Sequence, residues 1–291
     1  MIRQKLIKPT LVADYSCVIG EGPLWHPVEQ RLYWIDIYDG RMFRHDPASG
    51  RHEQCFAGEV VGGFTIQEDG ALLLFMAKGA VKIWREKELT TFIDEVPEER
   101  NSRFNDVIAD PAGRVFCGTM PTRKRPGRLY RLDSDGTLIK LLDGISCSNG
   151  LGFSPGLERL YYADSGISTI YSFNYDQATG TITGQSTFIQ NPKEEGVPDG
   201  LTVDSQGYVW SARWDGGCLI RYTPAGVEDL RITFPARKVS SVTFGGPDYT
   251  DIYVTTAGGD NKGQEGPGAG GLFHLNLGIV GRPEFFSKIK I

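Results

Sequence analysis

Glu21-Gly22-Pro23-Leu24-Trp25-His26-Pro27, followed by Arg31-Leu32-Tyr33-Trp34-Ile35-Asp36, is the first of six related stretches. The second runs from Gly63-Phe64-Thr65-Ile66 through Asp69-Gly70 into Ala71-Leu72-Leu73-Leu74-Phe75. The third is Asn105-Asp106-Val107-Ile108-Ala109-Asp110-Pro111 with Gly113-Arg114-Val115-Phe116-Cys117-Gly118. The fourth is Asn149-Gly150-Leu151-Gly152-Phe153-Ser154-Pro155 with Arg159-Leu160-Tyr161-Tyr162-Ala163-Asp164. Asp199-Gly200-Leu201-Thr202-Val203-Asp204 and Ser241-Val242-Thr243-Phe244 open the last two. The starts at 21, 63, 105, 149, 199 and 241 lie 42, 42, 44, 50 and 42 residues apart. A period of about 40–50 residues, built from short apolar strands and Gly, Pro or Asp turns, is that of propeller blades.

Each unit continues into a further strand, such as Gly127-Arg128-Leu129-Tyr130-Arg131-Leu132, and Asp135-Gly136 has the chemistry of a hairpin turn. No helical period persists over several turns. One blade cannot bury both faces of its sheet, so the spacing predicts an all-β, six-bladed propeller, one domain over 1–291. The stretch Leu11-Val12-Ala13-Asp14 is a spare strand, expected to pair with the final blade and so remove a free sheet edge.

Composition narrows the functions. A net charge of −5 leaves no nucleic-acid footprint. No apolar run approaches the roughly 18 residues of a membrane span. Met1-Ile2-Arg3-Gln4-Lys5 leads into no signal-peptide core, and Cys17, Cys55, Cys117, Cys147 and Cys218 are odd in number with no CxxC spacing. A reduced, cytoplasmic protein is expected, a monomer or weak homo-oligomer.

The first position of each repeat reads Glu21, Gly63, Asn105, Asn149, Asp199 and Ser241. In a propeller the innermost strands line the channel, so equivalent positions meet at the axis. Glu21, Asn105, Asn149 and Asp199 then bring carboxylate or amide oxygens together from four blades. Buried together they repel and lose hydration, and a divalent cation offsets that cost. Oxygen-only ligands suit calcium, magnesium or manganese. Any one Asn-Gly or Asp-Gly is ordinarily a turn, and the in-register recurrence is what singles these out.

Several motifs together resemble the senescence-marker protein 30, regucalcin and gluconolactonase family: Gly20-Glu21-Gly22-Pro23-Leu24-Trp25, Arg103-Phe104-Asn105-Asp106, Asp110-Pro111-Ala112-Gly113-Arg114, Gly118-Thr119-Met120, Ser148-Asn149-Gly150-Leu151 and Pro198-Asp199-Gly200-Leu201. The stretches Phe244-Gly245-Gly246, Tyr253-Val254-Thr255 and Gly270-Gly271-Leu272-Phe273 extend the likeness over nearly the whole chain. The resemblance implies that Glu21, Asn149 and Asp199 ligate one divalent metal, calcium foremost, with zinc, manganese, magnesium or iron as others. It implies that Arg103 and Asn105 contact a small-molecule sugar lactone. The implied reaction is metal-assisted hydrolysis, with Asp199 activating water and Arg103 presenting a forked donor to the ring. Related propellers cleave organophosphates. Two other classes share parts of the pattern: a calcium-binding regulatory protein without turnover, which has no need of Arg103 and Asn105, and an interaction platform, which has no need of axial oxygens.

One segment departs from the family. Where relatives carry acidic residues over the site, this chain reads Pro121-Thr122-Arg123-Lys124-Arg125-Pro126-Gly127-Arg128. It is either a lid that attracts anions or a solvated loop. His26, His45, His52 and His274 are read as structural or solvated, and no Ser-His-Asp arrangement is suggested.

Overall fold

The computed structural model of the chain describes residues 8–290. These form six four-stranded antiparallel sheets, one per repeat, with four short 3₁₀ turns and no α-helix. The first blade is Gly20–His26, Arg31–Asp36, Arg41–Asp46 and Arg51–Ala57. The next four begin with the strands Val61–Ile66, Phe104–Ala109, Ser148–Phe153 and Val197–Val203. The sixth comprises Lys238–Gly245, Asp251–Ala257, Gly271–Asn276 and the N-terminal strand Thr10–Asp14, which pairs with Gly271–Asn276. The first strands of neighbouring blades touch in ring order, and the sixth touches the first.

The apolar residues do not gather into one central core. They form six slabs, each between two blades. Tyr33, Ile35 and Met42 of the first blade meet Phe64, Leu72 and Leu74 of the second. Trp210, Ala212 and Leu219 of the fifth meet Val242, Phe244 and Val254 of the sixth. Ring closure is a slab like any other, with Trp25, Leu32 and Trp34 against Tyr253 and Leu272. Each sheet is therefore apolar on both faces, which is why the second strands read as unbroken hydrophobic runs such as Leu72–Met76.

At the channel the sequence reading needs refinement. The Asn-Gly and Asp-Gly pairs that open the repeats are not turns but lie inside strands. In every blade the register of the first strand slips against the second at the repeat's opening residue: between Glu21 and Leu24, Val61 and Gly63, Phe104 and Val107, Ser148 and Leu151, Pro198 and Leu201, and Val239 and Ser241. A bulge re-aims a side chain that the two-residue alternation of a regular strand would turn into a slab. Six such bulges direct five side chains to the axis, those of Glu21, Asn105, Asn149, Asp199 and Ser241, and the sixth position is Gly63.

The glycines beside them answer a crowding problem. A Cβ on Gly150 would lie 2.3 Å from the backbone nitrogen of Leu201 and 2.7 Å from the carbonyl oxygen of Asp199. A Cβ on Gly200 would lie 2.0 Å from Ser241 Oγ. The innermost strands approach too closely there for any side chain.

The sixth repeat does not end the fold. Residues 277–290 run in extended form across the back of the ring, a segment the repeat gives no sign of. Gly281 N donates to Tyr249 O, and Ser205 N to Val280 O. Ser287 N then donates to Ile66 O, Glu68 N to Ser287 O and Lys288 N to Gly113 O. All five cysteines are free.

Gly150→Ala forces apart the strands that carry Asn149 and Asp199. Backbone atoms cannot yield as a flexible side chain can, so the variant should lose about 2–4 kcal/mol of stability. Denaturant melts check it: Gly150 is not at positive φ, so its loss reports crowding, whereas Gly144→Ala, whose added Cβ meets nothing within 4 Å at a φ of +83°, reports backbone strain alone.

Candidate functional site

The front mouth of the channel holds a cavity of about 320 Å³. Glu21, Arg103, Asn105, Asn149 and Asp199 all line it, so the five residues singled out in the sequence come together in one place. Glu21, Asn105, Asn149 and Asp199 are buried to 7% exposure or less. Glu21 Oε2 accepts from Gly22 N at 2.8 Å. Asn105 Nδ2 donates to Asn149 Oδ1 at 3.0 Å and to Ser148 O at 2.7 Å. Asn149 Nδ2 in turn donates to Ser165 Oγ at 2.8 Å, which fixes the orientation of its amide. Arg103 Nη1 donates to Phe104 O at 2.9 Å and to Asn105 Oδ1, and its guanidinium lies 5.9 Å from the centroid of Tyr38.

Two aspartates outside the cavity set this geometry. Asp36, at the end of the first blade's second strand, accepts from Val18 N and Ile19 N at 3.1 and 3.0 Å. Asp164, its counterpart in the fourth blade, accepts from Ser146 N and Cys147 N at 2.9 and 2.8 Å. Each carboxylate thus pins the two residues that lead into a site-bearing strand, just before Glu21 and Asn149.

The electrostatics are unfavourable for bare carboxylates. Burial pushes the Glu21 carboxyl well above its ordinary range, and the neighbouring Asp106 adds to this. Burial does the same to Asp199, reinforced by Glu21 and Asp106. Burial raises Asp106 to about 7 while Arg103 pulls it down. Among the described residues no three His, Cys, Asp or Glu side chains form a metal-ready group. The donor set for an ion is two carboxylates and the Asn149 amide oxygen. Those donors fit a hard divalent cation, whose charge would relieve the crowded negative side chains.

Sequence reasoning missed three parts of this site. Asp106, directly after Asn105, faces a second space of about 70 Å³ in the channel behind the site, with Thr65, Ser241, Thr243 and Glu284. The cavity's upper wall is apolar, with Ile19, Ile37, Met120, Val197 and Trp214. Cys147 stands in that wall too, with its Sγ 4.0 Å from Met120 Sδ. The basic segment behaves as neither of the two expectations. Arg125 and Arg128 are held by Glu99, which is 0% exposed, and Arg128 also pairs Asp143 at 3.3 Å. Only Arg123 and Lys124 of the four cations are exposed, and none of the four lines the cavity. No histidine lines it either: His26 and His45 are buried, His52 bonds Tyr15 and His274 bonds Asp251.

Residues 19–258 match the family model described as the SMP-30/Gluconolactonase/LRE-like region. Pentonolactonase XacC of Haloferax volcanii is 47% identical over 97% of this chain and 99% of its own. Regucalcin of Gallus gallus is 34% identical over 92% of this chain and 94% of its own. A calcium-binding protein, regucalcin, from Agrobacterium tumefaciens superposes with a TM-score of 0.88 at 26% identity, covering 96% of this chain and 97% of that one.

Glu284 yields a test of the buried electrostatics away from the proposed metal ligands. Burial holds its carboxyl at about 7, against the pull of Arg282 and a hydrogen bond with Thr202. A carboxyl with a raised folded-state pKa costs nothing below its unfolded value of about 4.3, and the cost grows until pH passes about 7. Glu284→Gln should therefore match the parent near pH 4 and exceed its stability by up to about 3–4 kcal/mol at pH 8. Thermal melts across that range check it, and equal stability at pH 8 contradicts it.

Proposed function

This chain belongs to the SMP-30/gluconolactonase/LRE-like family, and we propose that it is a lactonase: a single-domain hydrolase that opens lactones of sugar acids with the aid of one divalent metal ion. The observation that carries this reading is the convergence of Glu21, Asn149 and Asp199 with Arg103 and Asn105 in one cavity of about 320 Å³. That volume suits a small ligand, and the relative named pentonolactonase supports a five-carbon aldonolactone as substrate.

Glu21, Asn149 and Asp199 hold the ion, with calcium favoured by the all-oxygen donor set and by the relatives named for calcium. Bound there, a divalent cation supplies Lewis acidity toward the lactone carbonyl and counter-charge for the oxyanion. The protein's own groups do the rest. An Asp199 carboxylate oxygen takes the proton of the attacking water and returns it to the ring oxygen as the acyl C–O bond breaks. Arg103 is poorly hydrated where it stands and offers its free N–H edge to the ring oxygen or a ring hydroxyl. Asn105 is fixed by Arg103, Ser148 and Asn149, so it presents an oriented amide that does not ionise. The apolar wall of Ile19, Ile37, Met120, Val197 and Trp214 keeps bulk water from the carbonyl.

A second reading, calcium binding without turnover, is favoured by the description of the Agrobacterium tumefaciens neighbour as a calcium-binding protein. A lactone panel with chelator and with several metals added back separates the two. Lactonase action predicts acid release above the spontaneous rate, lost with chelator and restored by metal. No turnover with metal bound favours the binding protein, and turnover confined to phosphotriesters favours an organophosphate hydrolase. Within the lactonase reading, Asp199→Ala should lower kcat by about 10³ or more and abolish stoichiometric metal in elemental analysis. Arg103→Ala should raise KM with little change in kcat where the residue binds ground and transition states alike.

A further inference from the structure

Four arginines of the described residues are buried: Arg114, Arg131, Arg213 and Arg221. Three of them follow one rule. Arg114 pairs Asp110 at 2.6 Å, Arg131 pairs Asp133 at 2.6 Å, and Arg221 pairs Asp204 and Asp229 at 2.7 Å each. Arg213 is the most enclosed of the four, at 1% exposure, yet no carboxylate of the described residues stands within ion-pair distance of it. Its Nη2 donates to Asn191 Oδ1 at 3.0 Å and to the Tyr222 hydroxyl, and the guanidinium lies 5.5 Å from the Tyr222 ring. Its Nε and Nη1 meet no acceptor.

The nearby carboxylates pair directly with other cations. Glu195 and Glu228 are taken by Arg231, at 3.1 and 2.7 Å. Asp215, two residues along the chain, is taken by Lys238 and Arg237. A second unmet donor stands close by. Ser168 is 2% exposed, its Oγ has no partner, and its carbonyl accepts from Asn191 N at 3.3 Å. Two guanidinium nitrogens and a hydroxyl thus lie unsatisfied on either side of Asn191, at the seam of the fourth and fifth blades. Water can satisfy N–H groups but leaves the buried positive charge uncompensated.

We propose that Arg213 binds a small monovalent anion of halide size, sealed at the seam between the fourth and fifth blades. Chloride has the charge the guanidinium lacks and accepts from Nε and Nη1 at once. Arg213 is 1% exposed and does not line the substrate cavity, so this site is separate from it. It is nonetheless linked to that cavity. Arg213 pairs in register with Pro198, which precedes Asp199, and Ser165 of the turn Ser165–Ile167 donates to Pro198 O at 2.5 Å and accepts from Asn149. Ser168 closes that same turn. An anion held by Arg213 therefore braces the backbone behind both Asn149 and Asp199.

The test needs only the intact protein. Crystals grown in sodium bromide should show an anomalous peak within hydrogen-bonding distance of Arg213 Nε or Nη1. At fixed ionic strength, replacing methanesulfonate by chloride or bromide should raise Tm saturably, by about 2–4 °C. Arg213→Met, which keeps the bulk and removes the charge, should abolish that rise. Where the variant fails to fold, the bromide map of the parent protein decides alone. Electron density at Arg213 without anomalous signal, or a parent Tm indifferent to halide, identifies water and overturns the proposal.

Discussion

The closeness of the innermost strands at the front of the channel governs everything else in this protein. At Gly150 and Gly200 one strand lies against the next with no room for a single carbon atom between them. Strands packed that tightly cannot keep regular alternation and still send a side chain to the axis. Each slips its register by a bulge at that height, and the bulge turns Glu21, Asn105, Asn149 and Asp199 inward. Backbone crowding and the gathering of polar groups thus have one geometrical cause.

The gathered groups are in tension with folding. Glu21, Asp106 and Asp199 share a buried region in which Arg103 is the cation that opposes their charge. A core optimised for stability would fill the axis with apolar side chains, as the six slabs between the blades are filled. Here the slabs carry the stability and leave the axis free for charge. The paired aspartates Asp36 and Asp164 show how the two are joined: each is buried in a blade, yet each fixes the entry of a strand that carries a site residue.

What the sequence discloses follows from what repeats. Six recurrences of one strand-and-turn pattern disclose the blades, and oxygen side chains at equivalent positions disclose the floor of the cavity. The bulges at Asn149-Gly150 and Asp199-Gly200 are not disclosed because a dipeptide's local preference is the same in a hairpin and a bulge, and only neighbouring strands decide between them. Glu99 is hidden for a different reason: it neutralises Arg125 and Arg128 from 26 and 29 residues away, and no period connects them. The apolar wall comes from single residues of separate loops, Ile19, Met120 and Trp214 among them, which share no pattern. The final segment is placed by backbone hydrogen bonds, which any sequence can make.

That final segment bears on how the molecule is made. Residues 10–14 pair with 271–276, and 287–289 dock on the second blade, which emerges from the ribosome some two hundred residues earlier. Neither the ring nor its back can be completed while residues 271–290 are still in the exit tunnel. Until the strands of the sixth blade have emerged, the first blade therefore presents a bare apolar face where the sixth will later press. A nascent chain of this design depends on speed of closure, or on a chaperone's shelter, between translation and its finished form.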